Sequence, residues 1–492
     1  MLFIGVDLGT SACKFLLMDE KGAILNVVSE TYDVEYPKPG WSQQNPADWW
    51  EAVRRGVPAL LADQDASQVA GIGVAGQMHG LVALDADDEV IRPAILWNDG
   101  RTADQVRYLN EEVGAEKLLE WTGNIAYAGF TAPKILWMRE NEPENYADIA
   151  HVMLPKDYVN HLLCGAYATD VSDASGTLLF DVGTRDWSEP MLELCGLSRA
   201  EVLQVHESYE KIGTLLPDVA AELGLPANVV VCAGAGDNAA AAIGTGCVGA
   251  GSMNVSLGTS GTVFIPTLSY AVGVGDRIHS FCHADGSWHL MGCILSAASC
   301  NAWWVNGILG TNDFAAAQEG IDAAAAPLDL PYFLPYLMGE RTPHNDTAAR
   351  GSFVGMSMST TCADLTRAVL EGVAFAVRDS VEIARALGVD VRSSTVCGGG
   401  AKSRLWLQML ANILDIELKL PATEQGPGYG GAMLAGVAAG AFDSVAQACE
   451  KIVAIRDTVS PDPAAVAAYD ARYQAWHDLY PALKSSFAKM GA

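Results

Sequence analysis

Two acids in this chain of 492 residues stand where an apolar run gives way to small residues, and either could do chemistry. Asp237 lies in residues 229–246 (VVVCAGAGDNAAAAIGTG), where a β-branched run bends at small residues and leaves through an Ala-rich segment of helical composition. No other Asp or Glu follows until Asp276. A carboxylate in so apolar a setting costs desolvation energy unless it is compensated. The position suits a general base for a substrate hydroxyl, and it also suits a helix cap. Asp7 closes the apolar run 2–7 (LFIGVD) and precedes Leu8-Gly-Thr-Ser11. There a carboxylate could anchor Mg2+ through water or simply cap a turn.

The Leu-Gly-Thr-Ser core recurs at 257–260. In such a turn glycine permits tight geometry, while successive backbone N–H groups and the hydroxyls can face phosphate oxygens. One copy reads as well as an ordinary hairpin turn; two, one in each half, point to a phosphate clamp. A P-loop, G-x-x-x-x-G-K-[ST], is absent. Gly234-Ala-Gly236-Asp-Asn-Ala239 matches the dinucleotide fingerprint G-x-G-x-x-[GA], but that motif needs an acid about twenty residues on to hold a ribose. The sequence from Asn238 to Gly275 offers none, which sets the dehydrogenase reading aside. Met78-His79 sits in a second glycine-bounded loop, Gly76–Gly80, where the imidazole is either a pocket wall or a satisfied structural residue.

These loops need elements to hold them. Residues 2–7 and 14–18 read as a strand–turn–strand hairpin, with a third extended segment at 23–28. Asn45-Pro46 reads as an N-cap followed by proline in the first helical turn. Residues 70–75 form a strand that runs into Gly76–Gly80. The pattern then restarts: strand 252–257, turn, strand from Thr262, and later the strand of Thr395 running into Gly398–Ser403, in the place of 74–80. A duplicated domain with a site between its copies explains this, with units 1–246 and 247–492. Residues 463–489 read as packing helices.

Half of the residues are apolar and 18% are charged, so the chain is globular. Its 59 acids against 30 Lys and Arg give a net charge of −29. That sign opposes binding to nucleic acid or to an anionic membrane, and it leaves phosphate to be held by backbone N–H groups and a metal. Eleven scattered cysteines with no C-x-x-C pair read as reduced cytoplasmic thiols rather than disulfides or a zinc site. The N-terminus reads as a strand and not as a signal peptide. Residues 428–442 are apolar but too short and glycine-broken for a bilayer span.

In this order the turns resemble the FGGY family of carbohydrate kinases, within the actin-like ATPase superfamily. Gly129-x-Thr131-x-x-Lys134-Ile-x-Trp137-Met-x-Glu140-Asn141 is similar to one family signature. Gly351-x-Phe353-x-Gly355-Met356 with Asp364-Leu365-x-x-Ala368-Val-Leu-Glu371 is similar to the other. The segments Gly76–Gly80, Trp97–Arg101, Leu154–Tyr158 and Gly339–His344 most resemble family members acting on D-xylulose; glycerol kinases typically carry Arg-Glu where this chain has Met78-His79. The resemblance implies an α/β fold of two actin-like (ribonuclease H-like) domains flanking a central cleft, with ATP and a ketose meeting at its base. It implies Asp237 as catalytic base, Asp7 supporting Mg2+, and sugar contacts from Met78, His79, Asp237 and Asn238. Thr10 and Ser11 would face the phosphates from one domain and Gly258 and Thr259 from the other, with Gly399, Gly400 and Ala401 flanking adenosine. Arg404 and Asn301-Ala302 depart from relatives near the adenine. Family analogy also implies a cytoplasmic homodimer. L-ribulose or another polyol is the alternative substrate, and a non-catalytic sugar or nucleotide sensor is the alternative role.

Overall fold

The computed structural model describes residues 1–490. Residues 2–31 form the antiparallel meander that their apolar alternation implies: β1 (Leu2–Leu8), β2 (Ala12–Asp19) and β3 (Ile24–Thr31). Helix α1 (Pro46–Leu61) starts where expected, the Asn45 side chain accepting the Ala47 N–H at 3.2 Å. It returns the chain to β4 (Val69–Gly76), parallel to β1. Helices α2 (Thr131–Asn141) and α3 (Pro155–Cys164) precede β5 (Val230–Cys232), which lies parallel to β4. Helix α4 (Asp237–Gly244) follows directly. The expected strand, bend and helix of 229–246 are all present.

The second half rebuilds this plan. Strands β6 (Ser252–Leu257), β7 (Gly261–Thr267) and β8 (Trp288–Ile294) form another antiparallel meander. Helix α5 (Cys362–Ala386) leads to β9 (Ser393–Cys397), parallel to β6. Helix α6 (Arg404–Leu414) leads to β10 (Glu417–Pro421), parallel to β9. The sheet orders β5-β4-β1-β2-β3 and β10-β9-β6-β7-β8 correspond strand for strand. The repeat glimpsed in two short turns is therefore a repeat of whole sheets.

Helix α7 (Gly426–Ala438) crosses from one sheet to the other. It comes from the second half but packs on β1, β4 and α4 of the first. A Cβ at Gly5 would lie 1.8 Å from the Gly428 carbonyl oxygen, one at Gly73 2.1 Å from that of Gly431, and one at Gly430 1.8 Å from that of Ala240. Here backbone touches backbone, and only glycine fits. The apolar stretch 428–442 is thus core of the first unit. A second crossing joins the units near the cleft: Asn124 Nδ2 donates to the Ser280 carbonyl at 2.9 Å, and the Cys282 N–H donates to Ser175 Oγ at 3.0 Å. All eleven cysteines are free, and no helix among the described residues is long and apolar enough to cross a membrane.

Gly430→Ala should lower folding stability by about 1–3 kcal/mol or more through overpacking, measured as a shift in the urea midpoint. An unchanged midpoint would show that α7 and α4 can separate freely.

Candidate active site

Asp237 opens α4 immediately after Gly236, and the chain reaches it through Gly234, whose φ is 74°. A Cβ at Gly234 would sit 2.1 Å from the Val74 carbonyl oxygen, so this glycine lets the turn lie against β4. The Asp237 Oδ1 accepts the Asn238 N–H at 2.7 Å and the Asn238 side-chain N–H at 2.9 Å. Asn238 therefore orients the carboxylate. Burial pushes Asp237 up to about 6, against the pull of these two bonds.

Asp7 lies in β1 opposite Lys14 of β2. Burial, and next the charge of Asp237, push it up to about 7, while Lys14 draws it back. The two acids thus share one electrostatic environment, although 230 positions separate them in the chain (237 − 7). Lys14 Nζ donates to Gln425 Oε1 at 2.5 Å, tying the first hairpin to the residue before α7. A Cβ at Gly428, in the first turn of α7, would lie 3.5 Å from the Asp7 Cβ. The N-terminal end of a helix, which favours anions, is therefore set beside Asp7.

Met78 and His79 face this centre from the loop after β4. Met78 is buried under the turn that carries Asp237: a Cβ at Gly236 would meet its Cγ at 2.9 Å. His79 adopts a left-handed backbone (φ 69°), a conformation uncommon outside glycine. Its carbonyl accepts from Thr131 Oγ1 at 3.1 Å and from Lys134 Nζ at 2.6 Å, and Lys134 also donates to the Gly129 carbonyl at 2.8 Å. The Gly129-x-Thr131-x-x-Lys134 pattern at the start of α2 is the clamp on this strained loop. His79 Nδ1 lies 2.7 Å from the Gly176 carbonyl oxygen, which makes Nδ1 the protonated nitrogen and leaves Nε2 an acceptor. Burial, then Lys134, hold the imidazole down to about 3, so it is neutral.

Behind the turn lies a buried ionic group that the sequence did not reveal. Lys156 of α3 has no exposed surface; its Nζ lies 2.6 Å from Asp157 Oδ1, 3.1 Å from Asp170 Oδ1 and 3.2 Å from the Ala233 carbonyl. Burial pulls this ammonium down, and Asp157 and Asp170 more than reverse the effect. Asp170 Oδ2 accepts from Ser172 Oγ at 2.5 Å and from Ser208 Oγ at 2.6 Å. Ser172 Oγ in turn accepts the Gly236 N–H at 3.1 Å, so the chain of bonds ends one residue before Asp237. Asp173 is buried with neither oxygen partnered; burial and the charges of Asp157, Asp170 and Asp237 push it well above the usual carboxylate range despite Lys156. The only outward signs were Leu154-Pro-Lys-Asp-Tyr158 and the Asp-x-Ser-Asp run at 170–173.

The two Leu-Gly-Thr-Ser turns are held differently. In the first, the Thr10 carbonyl accepts from Gln44 Nε2 at 2.6 Å and its hydroxyl from the Trp97 indole at 3.0 Å, while Ser11 is exposed. In the second, the Gly258 carbonyl accepts the Ala298 N–H at 2.8 Å and the Thr259 carbonyl accepts the Ala297 N–H at 3.0 Å. Thr259 is exposed. Gly398 bridges to this turn: a Cβ there would lie 3.0 Å from the Gly258 nitrogen. Beyond it Gly399 and Gly400 line a cavity of about 670 Å³ with Asn301, Ala302, Phe314, Gln318 and Arg404. Ala401, the third residue of the 3-10 turn Gly399–Lys402, is buried among the apolar residues of the second unit and is not among those lining this cavity. Arg404 lines the wall but is held by Asp457 at 2.7 Å.

Two similar sheets, two acids brought together on the first of them and a glycine-walled cavity on the second define a two-domain sugar kinase. The chain belongs to the FGGY family of carbohydrate kinases: residues 2–244 match that family's N-terminal domain and 253–439 its C-terminal domain. It is 42% identical to a xylulose kinase of Escherichia coli (strain K12) over 98% of this chain and 99% of that one. It is 36% identical to a xylulose kinase of Bacillus subtilis (strain 168) over 97% and 96%. Among solved structures it is similar to one described as a xyloylose kinase from Brucella ovis, with 41% identity, a TM-score of 0.93 and coverage of 99% of this chain and 100% of that one.

Lys156→Met should cost about 3–5 kcal/mol, the penalty for leaving buried acids without their cation. Urea unfolding reads it, and a loss near zero would mean that the acids are neutral without the lysine.

Proposed function

We propose that this chain phosphorylates D-xylulose with ATP, giving D-xylulose 5-phosphate and ADP. The observation that carries the reading is Asp237, oriented by Asn238 and facing both the Met78-His79 loop and Asp7. Similarity over nearly the whole chain to kinases of that name supports the substrate. On this reading Asp237 receives the proton of the sugar hydroxyl as its oxygen attacks the γ-phosphorus. A carboxyl lifted to about 6 is ionised at neutral pH, yet it is a better acceptor than an ordinary Asp. His79, neutral and with Nε2 free to accept, takes a hydrogen bond from another sugar hydroxyl, while Met78 supplies an apolar wall. Phosphoryl transfer relies mainly on positioning and charge stabilisation. Thr10, Ser11, Gly258 and Thr259 supply it through their N–H groups and hydroxyls, and Gly399 and Gly400 flank the adenosine.

Asp7 fits Mg2+. Its carboxylate is half-buried, lifted by that burial and then by a second acid, and without a hydrogen-bond partner among the described residues. Among those residues no group of three His, Cys, Asp or Glu could hold a metal alone, as suits an ion bound by one carboxylate, waters and phosphate oxygens. When bound, the ion would neutralise phosphate charge that a chain of net −29 repels. The free cysteines support a reducing compartment, the cytoplasm. We carry the homodimer and the units 1–246 and 247–492 as parts of the same proposal.

ADP release measured over a panel of ketoses and polyols tests the reading; turnover with L-ribulose exceeding that with D-xylulose would overturn the substrate. Asp237→Asn should keep the fold and lower kcat about 10²- to 10⁴-fold, and near-normal turnover would remove it as the base. His79→Ala should raise the sugar KM about tenfold, one hydrogen bond's worth, with the ATP KM little changed. An unmoved sugar KM would take the imidazole out of the pocket.

A further inference from the structure

Arg341 stands apart among the arginines. Every other one has a hydrogen bond or ion pair for its guanidinium. The Arg341 guanidinium has neither among the described residues. In a chain of net charge −29, a half-buried cation without a partner is conspicuous. It is also held firmly in place. On one side Glu340 is buried, its Oε1 accepting the Leu295 N–H at 2.9 Å and the Arg341 N–H at 2.8 Å. On the other, Thr342 is buried and exchanges two bonds with Cys293, N–H to carbonyl and N–H to Oγ1, each at 3.0 Å. These partners lie at the end of β8, so Arg341 projects from a rigid edge of the second unit.

It projects across the cleft. Its guanidinium carbon lies 4.6 Å from the ring centre of Tyr127, in the first unit. Tyr127 packs on Phe130 at 5.3 Å, and Phe130 on His79 at 4.8 Å. Burial and then Arg341 hold His279 well below the ordinary imidazole range, and Arg341 adds to burial and Lys134 in doing the same to His79. Burial lifts the Cys293 thiol, Arg341 lowers it, and Glu340 and then Asp237 raise it. The ring contacts therefore set the cation at the His79 end of the pocket.

We infer that Arg341 is a specificity residue for the sugar, its planar fork donating to the carbonyl oxygen of an open-chain ketose and to the hydroxyl beside it. This rests on the kinase reading above and names how that site tells a ketose from the corresponding alcohol. Guanidinium suits the task because two parallel N–H groups match two adjacent oxygens, which an ammonium cannot do.

Equilibrium binding of D-xylulose, of the alcohol formed by reducing its carbonyl, and of ATP, to wild type, Arg341→Gln and Arg341→Lys, tests the assignment. In Arg341→Gln, D-xylulose should bind about 10- to 100-fold more weakly, the range for hydrogen bonds from a charged donor. Preference for ketose over alcohol should shrink, with ATP binding unchanged. Arg341→Lys should recover only part of the loss; it also guards against a glutamine variant that folds poorly. Undiminished ketose binding by Arg341→Gln, an intact ketose preference, or an equal loss of ATP binding would overturn it. Because binding is read without turnover, absence of phosphorylation by wild type would count against the kinase reading and not against this one.

Discussion

The close approach of α7 to the first sheet is the contact on which the site's geometry depends. Glycines at 5, 73, 428 and 431 let helix backbone and strand backbone touch without intervening side chains. That single helix reaches Asp7 through Gly428, Lys14 through the preceding Gln425, and the helix bearing Asp237 through Gly430. The distance between the two acids is therefore set by an element that enters the chain nearly two hundred residues after the second of them (426 − 237). An interior packed this densely transmits small displacements rather than absorbing them.

Much of this could be read from the sequence wherever the cause was local. Strand alternation, the Asn45 cap and the paired Leu-Gly-Thr-Ser turns depend on neighbouring residues, and the structure has them in the expected places. Asp7 and Asp237 were legible because each is a lone acid in an apolar stretch. The illegible parts depend on contacts between distant segments. Residues 428–442 carried no sign of which unit they cover. Lys156, Asp170 and Ser172 look like ordinary polar residues until folding buries them together. Ala401 sits beside two cavity-lining glycines yet turns inward, which side-chain type alone does not reveal. Gly234 and Gly236 imitate a dinucleotide motif for a packing reason: they let the turn lie on Val74 and Met78.

Charge is managed by placement in this molecule, not by total. The chain is strongly acidic, but its interior holds one lysine among three aspartates, two acids lifted toward neutrality and imidazoles kept uncharged. Each group is moved by burial first and by a named neighbour second.

The crossing of α7 also bears on how the chain is made. The first sheet and its helices emerge from the ribosome early, but the face that α7 covers has no partner until residues 426–438 have been synthesised. During that interval Gly5, Gly73 and their apolar neighbours present bare strand surface, of the kind that invites aggregation and chaperone capture. The duplicated halves look separable on a topology diagram, but the amino-terminal one cannot mature as it is translated. Its native state waits on residues 426–438 of the same chain.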